Sequence, residues 1–282
     1  MLFLTASRFT NILCALALLA TTQPAVAETQ SAARLYGGLT TNSASASIYE
    51  MAPMQPRSSP RMTALQARED SILSTPAQFQ MNAADLSKLA EHHVVIIVDR
   101  SASMNSRDCP GDLTRWEWCC RQASNLAREL SRISSDGICV VPFNGSFQIF
   151  DHQNAADVVR IFDELHPSGQ TKLAPPLRSQ LVTQLARQWG GGKARPLLIA
   201  VITDGNVKDA PAVRKAIGET MAKLHSQQEI KIVFLRVGDD DRTNDCLFDY
   251  ATGAPFRIVE SARFEDVVYF GLGKRLAQAL FH

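Results

Sequence analysis

Two short runs of β-branched and aliphatic residues constrain the fold of this chain more than any other feature. HHVVIIVD ends at Asp99, and PLLIAVITD ends at Asp204. Neither run alternates apolar with polar residues, which is typical of strands buried on both faces of a parallel sheet. Helical patterns lie between and after the two runs. Residues 85 to 282 are therefore predicted to form one α/β domain.

The remaining segments of this region complete the predicted sheet and its helices. Amphipathic helices are expected in RWEWCCRQASNLARELSRI, NAADVVRIFDEL, APPLRSQLVTQLARQW and APAVRKAIGETMAKLHSQ, and a further strand in IKIVFLRVG. GICVVPF and SFQIFD read as a hairpin around a tight turn at Asn144 and Gly145. The predicted architecture is a doubly wound, mostly parallel, Rossmann-like sheet with one antiparallel edge strand.

The first 84 residues differ in composition from this domain. Residues 1 to 27 have one charge, an apolar run and the small residues Ala25 and Ala27 before the expected cleavage site, which together predict a signal peptide. A membrane anchor is the alternative, but the apolar run is about half of the roughly 20 residues that a spanning helix needs. Residues 28 to 84 are rich in Ser, Ala, Thr and Pro, which predicts a disordered linker. The protein is expected to be secreted or periplasmic.

The charge balance excludes nucleic acid as the main partner. Signal cleavage would remove Arg8 and leave 28 basic and 28 acidic residues. Affinity for phosphate backbones depends on clustered Lys and Arg, which a chain of zero formal charge does not favour. After signal cleavage, no further stretch of the sequence is apolar enough to predict a membrane-spanning segment.

Five oxygen-bearing side chains are expected to meet at one edge of the predicted sheet. Asp99 and Asp204 follow two central strands, whose carboxyl ends face the ligand crevice of a doubly wound fold. Ser101 and Ser103 follow two and four residues after Asp99, and Thr171 lies on a loop that enters a helix. Two like charges in a cleft repel, and a divalent cation is the simplest group that would neutralise them. Hydroxyl and carboxylate oxygens suit Mg²⁺, or Mn²⁺ and Ca²⁺.

The pattern D-x-S-x-S from Asp99, a threonine before a helix, and T-D-G from Thr203 resembles the metal-ion-dependent adhesion site of von Willebrand factor type A domains. One departure is Gln170, where many members have a second glycine. The resemblance implies that Ser101, Ser103 and Thr171 bind the cation directly, whereas Asp99 and Asp204 act mainly through water or hydroxyl groups. The cation would then keep an open position for a partner's Asp or Glu. The implied function is a metal-dependent protein-binding module, with no catalytic residues.

Two other functions are compatible with the same pattern. Metal-dependent phosphohydrolases share an aspartate after the first strand, but Ser101 stands where their D-x-D motif requires a second aspartate. No P-loop, nucleophile elbow or dinucleotide fingerprint is found in the sequence. The second alternative is a von Willebrand type A scaffold whose metal site is vestigial. Neither the partner nor the oligomeric state follows from the sequence.

The cysteines of the mature chain are odd in number, because removal of Cys14 leaves five. A disulfide from Cys109 to Cys119 or Cys120 is sterically reasonable and would brace the loop after the first strand. Cys139 lies in a predicted strand, where core packing is the commoner role. The pairing of Cys246 stays open.

Overall fold

The computed structural model describes residues 81–190, 194–205, 207–238 and 257–281. All of them belong to the second of the two units into which the chain divides, Pro56–His282. The predicted signal peptide, nearly all of the predicted linker and Cys246 lie outside the described residues. Met81 packs in the core and Asn82 caps the first helix, so ordered structure begins before residue 85.

Seven helices and six strands are described along the chain. In chain order they are α1 Ala83–Ala90, β1 His93–Asp99, α2 Arg115–Leu130, β2 Ile138–Phe143, β3 Phe150–Gln153, α3 Ala155–Glu164, α4 Ala174–Trp189, β4 Leu197–Thr203, α5 Ala210–Met221, β5 Ile230–Arg236, β6 Val259–Ala262, α6 Phe264–Phe270 and α7 Leu272–Ala279. A short 3-10 turn, Ala102–Asn105, follows β1.

The six strands form one sheet in the order β3-β2-β1-β4-β5-β6. Every pair is parallel except β2 and β3, which pair antiparallel at one edge. The chain runs outward from β1 to β3 and then returns to β4 on the other side of β1. The predicted fold class is confirmed, and the topological switch point lies between the carboxyl ends of β1 and β4.

Both faces of the sheet are covered by helices, which is why β1 and β4 are apolar at nearly every position. Alternate residues of β1 enter two separate core clusters: Val94, Ile96 and Val98 pack with α2 and α3, and Val95 and Ile97 pack with α4 and α5. Burial of both faces explains the absence of polar alternation in the sequence.

The structure corrects the prediction at the antiparallel edge. The expected two-residue turn is a longer loop, because β3 begins at Phe150. The Asn144 side chain stabilises this loop, because its Oδ1 accepts a hydrogen bond from the backbone N–H of Ser146. Near the carboxyl end, Gly271, which has φ 80°, separates α6 from α7.

The predicted disulfide from Cys109 to Cys119 or Cys120 is not formed. Among the described cysteines none is bridged, and all four are buried. Burial raises the pKa of the Cys109 thiol to about 12 and that of Cys119 well above its ordinary value, so these thiols stay protonated. They pack as small apolar side chains.

In the same described ranges no helix is long and apolar enough to cross a bilayer.

Candidate metal centre

Asp99 lies at the switch point and connects β1 to its neighbours. Its Oδ1 accepts a hydrogen bond of 2.7 Å from the backbone N–H of Ser101, and its Oδ2 accepts one of 2.8 Å from the Thr203 hydroxyl. The β1–β4 register pairs Val98 with Ile202, so Thr203 is the expected neighbour. One carboxylate therefore fixes both the loop after β1 and the end of β4.

The two serine hydroxyls of the D-x-S-x-S motif face each other. Ser101 Oγ and Ser103 Oγ lie 3.0 Å apart. Ser101 is buried and Ser103 is exposed, so the pair reaches from the core to the surface. This placement follows from the 3-10 turn, which begins after Ser101 and in which the backbone N–H of Met104 bonds to the Ser101 carbonyl.

The loop that carries Thr171 is joined by backbone hydrogen bonds to both neighbouring loops. The Ala102 N–H donates to the Gly169 carbonyl at 3.3 Å, and the Lys208 N–H donates to the Thr171 carbonyl at 3.3 Å. Thr171 itself is buried. The loops after β1, before α4 and after β4 thus meet at one edge, and these contacts bring all five predicted residues to it.

Asp209 holds the start of α4, a role that the sequence reading missed. Its two carboxylate oxygens accept hydrogen bonds from the backbone N–H groups of Leu173 and Ala174, each at 2.9 Å. N–H groups at the amino end of a helix have no acceptor within the helix, and Asp209 supplies one for both. The position of the Thr171 loop thus depends on the loop after β4. The sequence does place Asp209 directly before a predicted helix, which became α5. The helix that Asp209 caps is α4, which lies earlier in the chain.

Arg115 places a positive charge beside Asp204. Its Nη1 lies 3.6 Å from Asp204 Oδ2, and its Nε and Nη2 donate hydrogen bonds of 3.0 and 2.5 Å to Asp108. The Arg115 side chain is only 8% exposed. The chain thus supplies a positive charge of its own beside Asp204, in addition to the divalent cation that the sequence predicts. No motif could reveal this, since the three residues come from different elements.

A close approach of backbone keeps Arg115 in place. Gly238 follows β5 with φ +91°, and a Cβ at this position would lie 2.3 Å from Arg115 Nε. Only glycine accepts both the conformation and the contact. The hydrogen bonds and charge of Asp108 raise the pKa of Arg115 further, so the guanidinium stays charged.

Burial raises the pKa of Asp99 to about 6. The hydrogen bonds from Ser101 and Thr203 oppose this effect, and the nearby charge of Asp204 adds to it. The ionised carboxylate is thus unfavourable in the protein alone, and any cation that reaches this edge would favour it.

The donors at this edge fit a hard divalent cation. They are all oxygens, and the 3.0 Å between the hydroxyls of Ser101 and Ser103 equals the separation of adjacent ligands in an octahedron with bonds of about 2.1 Å. Mg²⁺ prefers this geometry. Such an ion would act as a Lewis acid that accepts an oxygen ligand from another molecule.

No protein-family model and no curated protein matches the sequence. Solved structures similar to the chain include three that are described here, and one of them is of a von Willebrand factor type A protein. A manganese-loaded TRAP protein of Plasmodium vivax is 15% identical, with a TM-score of 0.45, and the match covers 64% of this chain and 71% of that one.

Two further structures are similar at the same level. An aerotolerance-related membrane protein of Bacteroides fragilis is 15% identical with a TM-score of 0.42, and the match covers 67% of this chain and 96% of that one. A von Willebrand factor type A protein of Catenulispora acidiphila is 14% identical with a TM-score of 0.42, over 67% of this chain and 43% of that one. At such identities and scores, function has to be inferred from the residues themselves.

Proposed function

We propose that this protein is a metal-dependent protein-binding module. Ser101, Ser103 and Thr171 bind Mg²⁺ (or Mn²⁺ or Ca²⁺), while Asp99 and Asp204 orient these hydroxyls and the waters of the cation. A partner presents an Asp or Glu side chain to the remaining coordination position. The observation that carries this proposal is the pair of facing serine hydroxyls, 3.0 Å apart, beside a carboxylate whose oxygens hold the loop after β1 and the end of β4.

The residues of the chain prepare the site in two ways. Asp99 fixes the loop that carries both serines, so little rearrangement is needed when the cation enters. The Thr171 loop is tied to Asp209 and Lys208, so a shift of the loop after β4 would move the threonine. Metal occupancy and the position of this loop are therefore coupled, and a partner would favour the loop position in which Thr171 binds the cation.

A binding role fits Asp99 better than a catalytic role as a phosphoryl acceptor. A nucleophilic carboxylate needs an oxygen that is open to the substrate. Asp99 is 0% exposed, and both of its oxygens accept hydrogen bonds within the protein. These contacts support a positioning role for Asp99 in a protein that is not an enzyme.

A scaffold without a bound metal is the second candidate, and the Arg115–Asp204 ion pair favours it. A guanidinium 3.6 Å from the carboxylate already offsets one of the charges that a cation would neutralise. Arg115→Gln separates the two candidates. If the protein is a scaffold without a metal, magnesium should not raise the melting temperature of the wild type but should raise that of Arg115→Gln. If it is a metal-dependent module, magnesium should already raise the melting temperature of the wild type.

The primary test is calorimetry and thermal unfolding of the wild type with millimolar MgCl₂, MnCl₂ and CaCl₂. Binding should release or absorb heat and raise the melting temperature, because a ligand that binds only the folded state stabilises it. The double variant Ser101→Ala and Ser103→Ala should lose both effects. Ser106→Ala is the matched control, since Ser106 is exposed in the same loop. No heat and no shift with any of the three ions in the wild type would refute the metal site.

The partner is tested by affinity capture from envelope extracts with magnesium or with a chelator. Proteins retained only with magnesium, and lost with Ser101→Ala and Ser103→Ala, are the expected partners. Carboxylate modification of the retained protein should release it. Capture that is equal with and without the chelator would contradict a metal-mediated contact.

We also propose that residues 1 to 27 are a cleaved signal peptide, that the predicted linker from residue 28 is a disordered tether as far as residue 80, where ordered structure begins, and that the mature protein is secreted or periplasmic. Terminal sequencing should return Glu28, whereas Met1 or a lipid-modified Cys14 would exclude this processing. Limited proteolysis should cut within the tether and leave a stable core that includes α1. Early cuts within 95 to 238 would contradict the domain boundary.

A further inference from the structure

Three metal-binding side chains lie close together at the end of the sheet where β1 and β2 begin. This end is opposite to the candidate magnesium site. They are His93 at the start of β1, Cys139 in β2 and Asp151 in β3, on three adjacent strands. One ring nitrogen, the sulfur and one carboxylate oxygen all lie within 4.8 Å of one another. His93 Nε2 and Asp151 Oδ1 are 3.9 Å apart.

One residue of this cluster is buried and the other two are partly exposed. Cys139 is 1% exposed, whereas the side chains of His93 and Asp151 are 19% and 37% exposed. A surface cavity of about 430 Å³ adjoins the two outer residues, and its lining also includes His152 and Arg195. The cavity would let a metal ion reach His93 and Asp151, whose ligand atoms lie within 4.8 Å of the sulfur, and would leave space for a further ligand.

We propose that His93, Cys139 and Asp151 form a Zn²⁺ site, separate from the magnesium site. Sulfur and imidazole nitrogen suit Zn²⁺, whereas Mg²⁺ prefers oxygen donors. The three ligands leave one tetrahedral position for water or for a donor group that enters the cavity. The Cys139 thiol proton is replaced by the metal and passes to solvent, so binding releases one proton.

The surrounding charges are compatible with this assignment. Burial lowers the pKa of His93, so its imidazole is neutral and can bind a metal. Burial and the charge of Asp151 raise the pKa of Cys139, and the exposed Arg187 opposes them in the direction that favours the thiolate. Arg195 is already engaged, because it pairs with Asp136 and donates to the His92 carbonyl at 2.6 Å.

A hydrolytic Cys-His-Asp group is disfavoured by the same surroundings. Burial, with the charge of Asp151 in addition, raises the pKa of Cys139 to about 12. A nucleophilic cysteine needs a lowered pKa and access to the substrate. A bound metal instead deprotonates the thiol that coordinates it.

The test uses the full chain, first with Co²⁺ as a spectroscopic probe and then with Zn²⁺ in competition. A sulfur-to-cobalt charge-transfer band and strong four-coordinate d–d bands are expected, and zinc should abolish both. Cys139→Ser should lack the charge-transfer band. Cys119→Ser is the matched control, because Cys119 is equally buried but lies on the other face of the sheet and should keep the wild-type spectrum.

A second variant keeps the proposal testable if Cys139→Ser does not fold. Asp151→Asn changes a half-exposed side chain and should weaken zinc binding by about tenfold or more, as loss of a metal-orienting group does. Excess magnesium should leave the cobalt spectrum unchanged. The proposal is overturned by a wild type without the charge-transfer band, by a band that survives Cys139→Ser, or by wild-type zinc affinity in Asp151→Asn.

Discussion

Asp99→Asn should stabilise the metal-free protein at neutral pH and at the same time abolish magnesium binding. The amide can keep both local contacts: its Oδ1 accepts the Ser101 N–H, and its Nδ2 can donate to the Thr203 hydroxyl, which is free to rotate. The substitution therefore removes the buried charge with little change in shape. It also removes the carboxylate that orients the loop hydroxyls and the waters of the cation.

The magnitude follows from the pKa of Asp99, which burial raises from 3.8 to about 6. At about 1.4 kcal/mol per pH unit, ionisation of this side chain costs the folded state about 3 kcal/mol at pH 7. A raised pKa means that the folded state binds the proton more tightly than the unfolded state. The stability contribution is therefore complete below about pH 4 and is lost as the pH rises through about 6.

The assay is urea unfolding with EDTA between pH 4 and pH 8. Asp99→Asn should exceed the wild type by about 3 kcal/mol at pH 7, and the difference should close towards pH 4. Magnesium should then stabilise only the wild type. Asp112→Asn makes the same chemical change at an exposed side chain and should stay within about 0.5 kcal/mol of the wild type. Equal or lower stability of Asp99→Asn at pH 7 would refute the reasoning.

Three further changes test other parts of the structure. Thr171→Ala should weaken partner capture strongly, but it should weaken magnesium binding less than Asp99→Asn does. Calorimetry and capture on the same samples measure the two effects. Equal losses of magnesium binding and partner capture would contradict the proposal that Thr171 moves with the loop when the partner binds. Gly238→Ala should lower the free energy of unfolding by about 1–3 kcal/mol in urea, because the new Cβ meets Arg115, while Gly145→Ala, with open space around it, should change it little. Glu260→Gln should cost about 1–2 kcal/mol at pH 7. Burial raises the pKa of Glu260, but hydrogen bonds and charge from Arg275 and Lys231 lower it below its ordinary value, so the difference should shrink as the pH falls through this lowered pKa, and a pH-independent loss would argue against it.

The parallel core of the fold was predictable because it depends on local sequence patterns. An apolar run without alternation specifies a strand buried on both faces, and Asn154 with Asp157 specifies a helix start; the structure has both capping hydrogen bonds. The antiparallel edge was harder. Its pairing was predicted, but the start of β3 depends on a loop that Asn144 closes through its side chain, and hydrophobicity does not report such a contact.

The positions of Asp99, Ser101, Ser103 and Asp204 could be predicted for a similar reason, since they lie at or just after the ends of two central strands. That they bind a metal stays a prediction. Helix α1 was missed because its eight residues are short and follow a polar segment, and its packing depends on distant contacts such as the 2.5 Å ion pair between Lys274 and Asp85. The cluster of His93, Cys139 and Asp151 was missed as well. Its members lie on three strands and become neighbours only through the pairing of the sheet.

Arg115 changes how the candidate site would treat an acidic partner. Asp99, Asp108 and Asp204 carry three negative charges when ionised, and a divalent cation alone would leave the loaded site with a net charge of minus one. The buried guanidinium brings this sum to zero. A partner carboxylate then approaches a neutral site that has an open coordination position. An anionic site would repel it. The same guanidinium competes with the cation for Asp204, so Arg115 would weaken metal binding while it favours the acidic ligand that the metal accepts.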